Sequence, residues 1–202
     1  TNSAGTEIYC NSSFLFGTNG VVESVYRKQH LVPFGEYIPF DKTIPFLQRL
    51  APTGVSCTPG EAPVVMDVAG VKISPLICFE DTVAGLSRAA VRAGAQVLVA
   101  QSNDAWFHGS SEPEQHHSQA VFRAVENGVP MVRCSNRGVT AIVGADGYSA
   151  DFLVHYLPLV STRGRTLYSR FGDWMFGIPC AILLVGMVAC AFGRWRAARR
   201  GK

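Results

Sequence analysis

The stretch VKISPLICFED, Val71 to Asp81, decides how the rest of the chain is read. Val71 to Ile77 alternates and then runs apolar, the pattern of a strand buried in a parallel sheet. Cys78 follows at once. Glu80, Asp81 and Thr82 then supply acidic and capping residues for a helix that places Val83, Leu86, Ala90 and Ala93 on one face. Gly94 ends that helix, and Gln96 to Ala100 (QVLVA) is a second buried strand. Cys78 therefore falls at a strand-to-helix turn, where backbone N–H groups and the helix dipole favour a thiolate. Two readings fit such a cysteine: a small buried hydrophobe, or a nucleophile.

Upstream, Ile8 to Cys10, Ser13 to Phe16 and Val21 to Tyr26 read as β structure, with Thr18-Asn19-Gly20 as turn chemistry. This hairpin delivers Arg27 and Lys28 to the end of a strand. A lysine there is either a solvated surface charge or, if it lies near Cys78, an ammonium that lowers the thiol pKa and stabilises an oxyanion. From Pro33 to Pro63, six prolines (Pro33, Pro39, Pro45, Pro52, Pro59 and Pro63) break the chain into short pieces. Phe34, Tyr37, Ile38, Phe40, Ile44, Phe46, Leu47 and Leu50 keep this segment apolar. It either packs on the sheet or forms a lid or membrane-facing arm. Glu36, between Phe34 and Tyr37, needs a cationic partner if it is drawn inward, and Lys28 is the nearest in sequence.

Downstream, Ser102-Asn103-Asp104-Ala105-Trp106-Phe107 follows the end of the QVLVA strand, where ligands collect in open α/β sheets. Trp106 and Phe107 either floor an apolar pocket or pack in the core. Glu112 to Asn127 reads as a helix closed by Gly128 and Pro130. His116 and His117 point about 100° apart and lack the i, i+4 spacing of a helical metal site. Met131 to Cys134 is a further strand, and Thr140 to Val143, Asp146-Gly147 and Tyr148 to Val154 form a hairpin.

The 202 residues are 48% hydrophobic, enough for one domain with an appendage. The net charge of +3 is uneven. Five of the 18 Lys and Arg (Arg194, Arg196, Arg199, Arg200 and Lys202) lie in a terminal basic tail, leaving 13 against 15 acids in residues 1–173. Nothing in that balance suggests nucleic-acid binding. Six scattered cysteines without CxxC spacing argue against a zinc site and against a dense disulfide framework. Trp174 to Gly193 carries no charge and is long enough to cross about 30 Å of hydrocarbon as a helix. Trp174 and Trp195 mark its interfaces, and the basic tail is expected to stay cytoplasmic.

Tyr26-Arg27-Lys28, Leu31-Val32-Pro33-Phe34-Gly35-Glu36, Ile77-Cys78-Phe79-Glu80 and Ser102-Asn103-Asp104-Ala105-Trp106-Phe107 together carry a family resemblance. Gln115-His116, the Arg123 to Asn127 helix and Asn136-Arg137-Gly138 fit it as well. The chain resembles the apolipoprotein N-acyltransferases, the membrane-bound branch of the nitrilase (carbon–nitrogen hydrolase) superfamily. The resemblance implies an α/β fold, the nitrilase-like α-β-β-α sandwich, incomplete at the N-terminus and followed by one transmembrane helix. It implies a catalytic part over residues 1–172, a span over 173–193 and a cytoplasmic tail over 194–202. Of the family's Glu-Lys-Cys triad, the Cys falls on Cys78 and the Lys on Lys28, and an additional active-site carboxylate falls on Glu36. Phe34, Tyr37, Phe79, Glu80, Trp106 and Phe107 are expected to contact substrate. The triad's Glu belongs upstream of the Lys, and Glu7 and Glu23, the acids before Lys28, do not sit in that context. The chain is accordingly expected to match the C-terminal part of such an enzyme, and to be inactive if made alone.

The implied chemistry uses no metal or cofactor. A Cys78 thiolate takes an acyl chain from a phospholipid, and the N-terminal amine of a diacylglyceryl apolipoprotein takes it from the thioester. The implied setting is a bacterial inner membrane with the catalytic domain in the periplasm. A nitrilase-type amidase acting on a small amide and a membrane-anchored non-enzyme lacking the base are the alternatives.

Overall fold

Six strands of one sheet stand side by side in the order in which they occur in the chain. The computed structural model describes residues 7–41, 43–44, 46–47, 56–107, 109–151 and 166–200. Pro45, Leu50 and Pro52 of the proline-rich segment, residues 152–154 of the last expected strand and the side chains of the basic tail lie outside the described residues.

A separate hairpin comes first, β1 (Ser12–Phe16) antiparallel to β2 (Val22–Arg27). The main sheet holds β3 (Met66–Val68), β4 (Val71–Ile77), β5 (Val97–Asn103), β6 (Met131–Asn136), β7 (Ala141–Val143) and β8 (Ser149–Asp151). Its centre, β4-β5-β6, is parallel, and the outer pairs are antiparallel. The parallel strands are spaced by α1 (Ala84–Arg92) and α2 (Glu112–Asn127), the helices that parallel pairing requires. Ala90 and Val91 of α1 and Ala120 and Ala124 of α2 pack with Leu76, Leu98, Ala100 and Met131 of the sheet. The small alanines let the helices lie close to the strands. A smaller cluster joins the hairpin to the sheet: Tyr26 and Leu15 meet Met66, Ile73 and Ile77, with Cys78 at its edge.

Two local expectations are corrected. Glu80, Asp81 and Thr82 do not cap α1; they belong to a 3-10 turn, Cys78–Thr82, and α1 starts at Ala84 with Val83 as its N-cap. The buried face of α1 is Ser87, Ala90 and Val91, whereas Ala93 is exposed. Both follow from burial of the two acids, which have partners elsewhere in the fold. Strand β3 was not anticipated. It joins β4 through Ala69 and Gly70, both at positive φ (52° and 85°), a hairpin turn that usually advertises itself with Asn-Gly or Asp-Gly. Here Asp67 instead accepts the Gly70 N–H at 2.8 Å.

After β8, α3 (Leu167–Phe171) is capped by Thr166, whose hydroxyl accepts the Ser169 N–H. Arg88 of α1 donates to the Tyr168 and Arg170 carbonyls at 3.1 Å each, tying α3 to the domain. Helix α4 (Trp174–Arg200) follows. Its stretch Trp174–Phe192 has a mean hydropathy of 2.4 and no buried residue, and it is the one described helix long and apolar enough to cross a membrane.

Candidate active site

The parallel strands β4, β5 and β6 end side by side, with Asn103 opposite Asn136 in the last register pair. Ligands collect at such carboxyl ends. Cys78 follows β4 directly, and the 3-10 turn Asp104–Phe107 follows β5. Cys78 has φ 54°, a left-handed conformation rare for a residue with a side chain. Its partly buried thiol sits on a sharp turn, with the chain reversing from strand to 3-10 turn.

Glu80 joins this turn to the end of β2. Its carboxylate is fully buried. One oxygen accepts the Gln29 and His30 N–H groups at 2.7 and 3.0 Å. The other accepts the Ile77 N–H at 2.8 Å and the Tyr26 hydroxyl at 2.9 Å. Four bonds thus fix the residues flanking Lys28 against the residue before Cys78. Burial and the adjacent carboxylate push the Tyr26 phenol well above its ordinary range. The imidazole of His30 also stacks on Phe79, with centroids 6.0 Å apart. The expectation that Glu80 contacts substrate does not survive its burial: both oxygens are committed to the fold.

Lys28 is 1% exposed, and its ammonium lies 2.7 Å from Glu36 Oε2. The solvated-charge reading of Lys28 therefore fails, and Glu36 is drawn inward toward it. Glu36 also accepts from Asn11 Nδ2 at 2.7 Å and from the Val32 N–H at 2.9 Å. Burial raises the Glu36 pKa, but the bonds from Lys28, Asn11 and Val32 and the charge of Lys28 outweigh it, so its carboxyl lies below the usual range. Glu36 is thus a fixed counter-charge and a poor proton acceptor. Glu7 and Glu23 are both exposed.

The aromatic candidates face outward. Trp106 is 84% exposed and Phe107 and Phe79 are also exposed, so none of the three is core packing. Phe34 and Phe40 are 62% and 74% exposed and hold positive φ of 62° and 66°. Tyr37 is partly buried, and its carbonyl accepts the Phe34 N–H at 2.7 Å. A cavity of about 360 Å³ lies beside this segment, lined by Gln29, His30, Leu31, Tyr37, Asp41 and Cys57 among others.

Beneath the two turns lies a cluster that the sequence reading passed over. His116 Nε2 is 2.5 Å from Asp81 and its Nδ1 is 3.1 Å from Asp104. Arg133 donates to Asp81 at 3.3 Å, to Asp104 at 2.9 Å and to the Val139 carbonyl at 2.6 Å. All four side chains are buried. Burial raises the Asp104 pKa, yet bonds from Ser102, Arg133 and Ser135 and the Arg133 charge bring it down to about 2. Gly138 leaves the room for this: a Cβ there would overlap the Asp104 carboxylate and the Ser135 hydroxyl. A second brace comes from α2, where Arg123 binds Glu126 and the Thr82 carbonyl, and Asn127 reaches Ser87. The signals available for the cluster were the adjacency of Asp81 to Glu80 and the family strings that hold Asp104 and His116. Among the described residues, no group of three or more His, Cys, Asp or Glu could hold a metal ion.

Residues 2–152 match the carbon-nitrogen hydrolase family. The chain belongs to that family. A carbon-nitrogen hydrolase from Helicobacter pylori G27 superposes with a TM-score of 0.55 at 19% identity, over 74% of this chain and 53% of that one, a likeness of fold. Among this chain's curated relatives, an apolipoprotein N-acyltransferase of Geobacter metallireducens is 41% identical over 192 residues. One from Nitrosomonas europaea is 38% identical over 195 residues. Each alignment takes in 92% of this chain, which spans 37% and 39% of the relatives' own lengths. The resemblance carried by LVPFGE, CFE and SNDAWF is thereby borne out.

Proposed function

We propose that this chain carries the nucleophile of an apolipoprotein N-acyltransferase. The observation that carries the reading is the buried Lys28–Glu36 pair, fastened by Glu80 to the turn that bears Cys78. A general-base carboxylate upstream of this chain takes the Cys78 proton and the thiolate attacks a phospholipid ester carbonyl; the S–C bond forms, the ester C–O bond breaks, and the same proton passes to the freed oxygen of the departing lysophospholipid. The N-terminal amine of a diacylglyceryl-cysteine lipoprotein then attacks the thioester; the N–C bond forms, the C–S bond breaks, and a proton from the amine passes to the sulfur, restoring the thiol. Lys28 and the Phe79 N–H stabilise the oxyanion in both steps. Glu36 holds the ammonium in place. The exposed Phe34, Phe79, Trp106 and Phe107, with Tyr37, offer acyl chains an apolar surface, and α4 anchors the domain at the membrane with the basic tail cytoplasmic and Cys78 periplasmic.

An amidase acting on small amides would use the same Cys and Lys, but it has no use for exposed aromatics or for α4. The test is incubation in detergent, with radiolabelled phospholipid, of a protein in which this chain is joined to an upstream segment that supplies the general-base carboxylate. A hydroxylamine-sensitive acyl adduct is expected on Cys78 and none in Cys78→Ala. An adduct on Cys57 or Cys134, or turnover by the alanine variant, overturns the assignment.

A further inference from the structure

The contacts of His116 cannot all be hydrogen bonds to a neutral imidazole. A neutral ring carries one N–H, and its other nitrogen is an acceptor. Here each ring nitrogen faces a carboxylate oxygen, Asp81 on one side and Asp104 on the other. A neutral ring would set a lone pair against one of them. The charges agree. Asp81 comes from the turn after Cys78, Asp104 from the turn after β5, Arg133 from β6 and Glu112 from the first turn of α2, 3.9 Å away. Two buried carboxylates with one guanidinium leave a negative charge that a protonated His116 cancels. Burial lowers the imidazole pKa and Arg133 opposes its charge, but the bond to Asp81 and the charges of Asp81 and Asp104 leave it raised.

What the ring joins gives this its consequence. Asp81 is three residues past Cys78 in the same 3-10 turn, and Asp104 opens the turn that carries Trp106 and Phe107. The two segments come from different strand ends and are bridged by two side chains, His116 of α2 and Arg133 of β6. We propose that His116 is a positioning residue, held as an imidazolium, that locks the Cys78 turn to the Asp104–Phe107 turn in the geometry needed for acyl transfer. Loss of one ring proton breaks one of the two His116 bonds and leaves Arg133 as the remaining bridge between the turns, so their relative position loosens. The role rests on the acyltransferase reading above, while the protonation state of the ring does not.

The first test uses the full chain with ¹⁵N-labelled histidine in detergent, the His116 signal being assigned by its loss in His116→Gln. At pH 7 both ring nitrogens are expected to be protonated; a neutral ring at that pH overturns the proposal without reference to activity. The second test follows Cys78 acylation by phospholipid against pH in the protein that also carries the upstream general-base carboxylate. Glutamine donates from one side only, as the deprotonated ring does. His116→Gln is therefore expected to acylate about 10²-fold more slowly at neutral pH, with KM within about twofold, and to lack the alkaline fall that accompanies His116 deprotonation in the parent. An unchanged alkaline fall in the variant, or a defect confined to KM, overturns the positioning role. If the parent itself forms no acyl adduct, the acyltransferase reading falls and the positioning role with it, while the ring spectrum still reports the imidazolium.

Discussion

Lys28 and Glu36 differ in exposure, 1% against 17%, so removing Glu36 strands the more deeply buried charge, whereas removing Lys28 leaves the less buried one. Removing one partner of a buried pair costs about 3–5 kcal/mol. Lys28→Met removes the charge but keeps the bulk and leaves Glu36 with Asn11 and the Val32 N–H. It is expected to abolish thioester formation while the protein remains folded, as read by adduct mass spectrometry alongside thermal melting. Glu80→Gln should behave differently. An amide offers one acceptor oxygen where the carboxylate offers two, so two of the four donors that hold the Lys28 and Cys78 turns lose their partner. A buried group left unsatisfied costs about 1–3 kcal/mol. The expected result is a clear loss in melting temperature together with slower acylation; a variant of parental stability would show that the four bonds do not fasten the turns.

At the scale of elements, three strand ends lie under one cluster, and the cluster sets how the domain responds to pH. Asp104 falls from 3.8 to about 2 on folding, so its contribution is fully present above the unfolded value and is lost as pH falls through the folded one. The shift is worth on the order of 2 kcal/mol. His116 is raised, so its contribution is fully present below about pH 6.5 and is lost as pH climbs through the raised value. Stability is expected to fall on both flanks. Denaturant midpoints measured across pH should show the acid flank flattened in Asp104→Asn and the alkaline flank flattened in His116→Gln. Gly138→Ala tests the same cluster sterically. Its Cβ displaces the Asp104 carboxylate, and the expected outcome is a destabilisation of about 1–3 kcal/mol, as for other overpacked sites. An unchanged midpoint would mean that the loop after β6 moves aside.

For the whole molecule, the described residues make a domain on an apolar stem. The 19 residues Trp174–Phe192 measure roughly 28 Å as a helix at 1.5 Å per residue, close to the hydrocarbon thickness. The stem joins the domain through α3, held by Arg88. If the stem spans the membrane with the basic tail inside, external protease applied to spheroplasts should cleave the Cys78 domain, and a cytoplasmic-type reporter fused after Lys202 should be active. Protection of a domain that is cleavable in detergent would reverse the orientation. Arg88→Ala leaves the α3 carbonyls without this donor, and is expected to increase proteolysis between α3 and α4 without altering Cys78 acylation.

Much of this architecture was legible in the chain, because its signals are local. The apolar run ending at Cys78, the QVLVA strand, the helix closed by Gly128 and the uncharged terminal stretch each depend on neighbours a few residues away. The motifs named the family for the same reason, since LVPFGE, CFE and SNDAWF are contiguous. Polar residues were another matter. Glu80 and Asp81 look in sequence like the acidic first turn of a helix, and Lys28 like a surface charge. Their roles follow from partners far along the chain: Glu80 from Gln29 and His30, Asp81 from His116 and Arg133. Period and propensity report which face of an element is apolar, but not which distant donor a buried carboxylate will meet. Sequence alone determined the strand order's raw material and the family, and it singled out Cys78, Lys28 and Glu36 as candidates. Only the tertiary structure decided that Glu80 fastens their turns and that His116 lies between two acids, because a buried charge is tolerated only where the fold brings its counter-charge within reach.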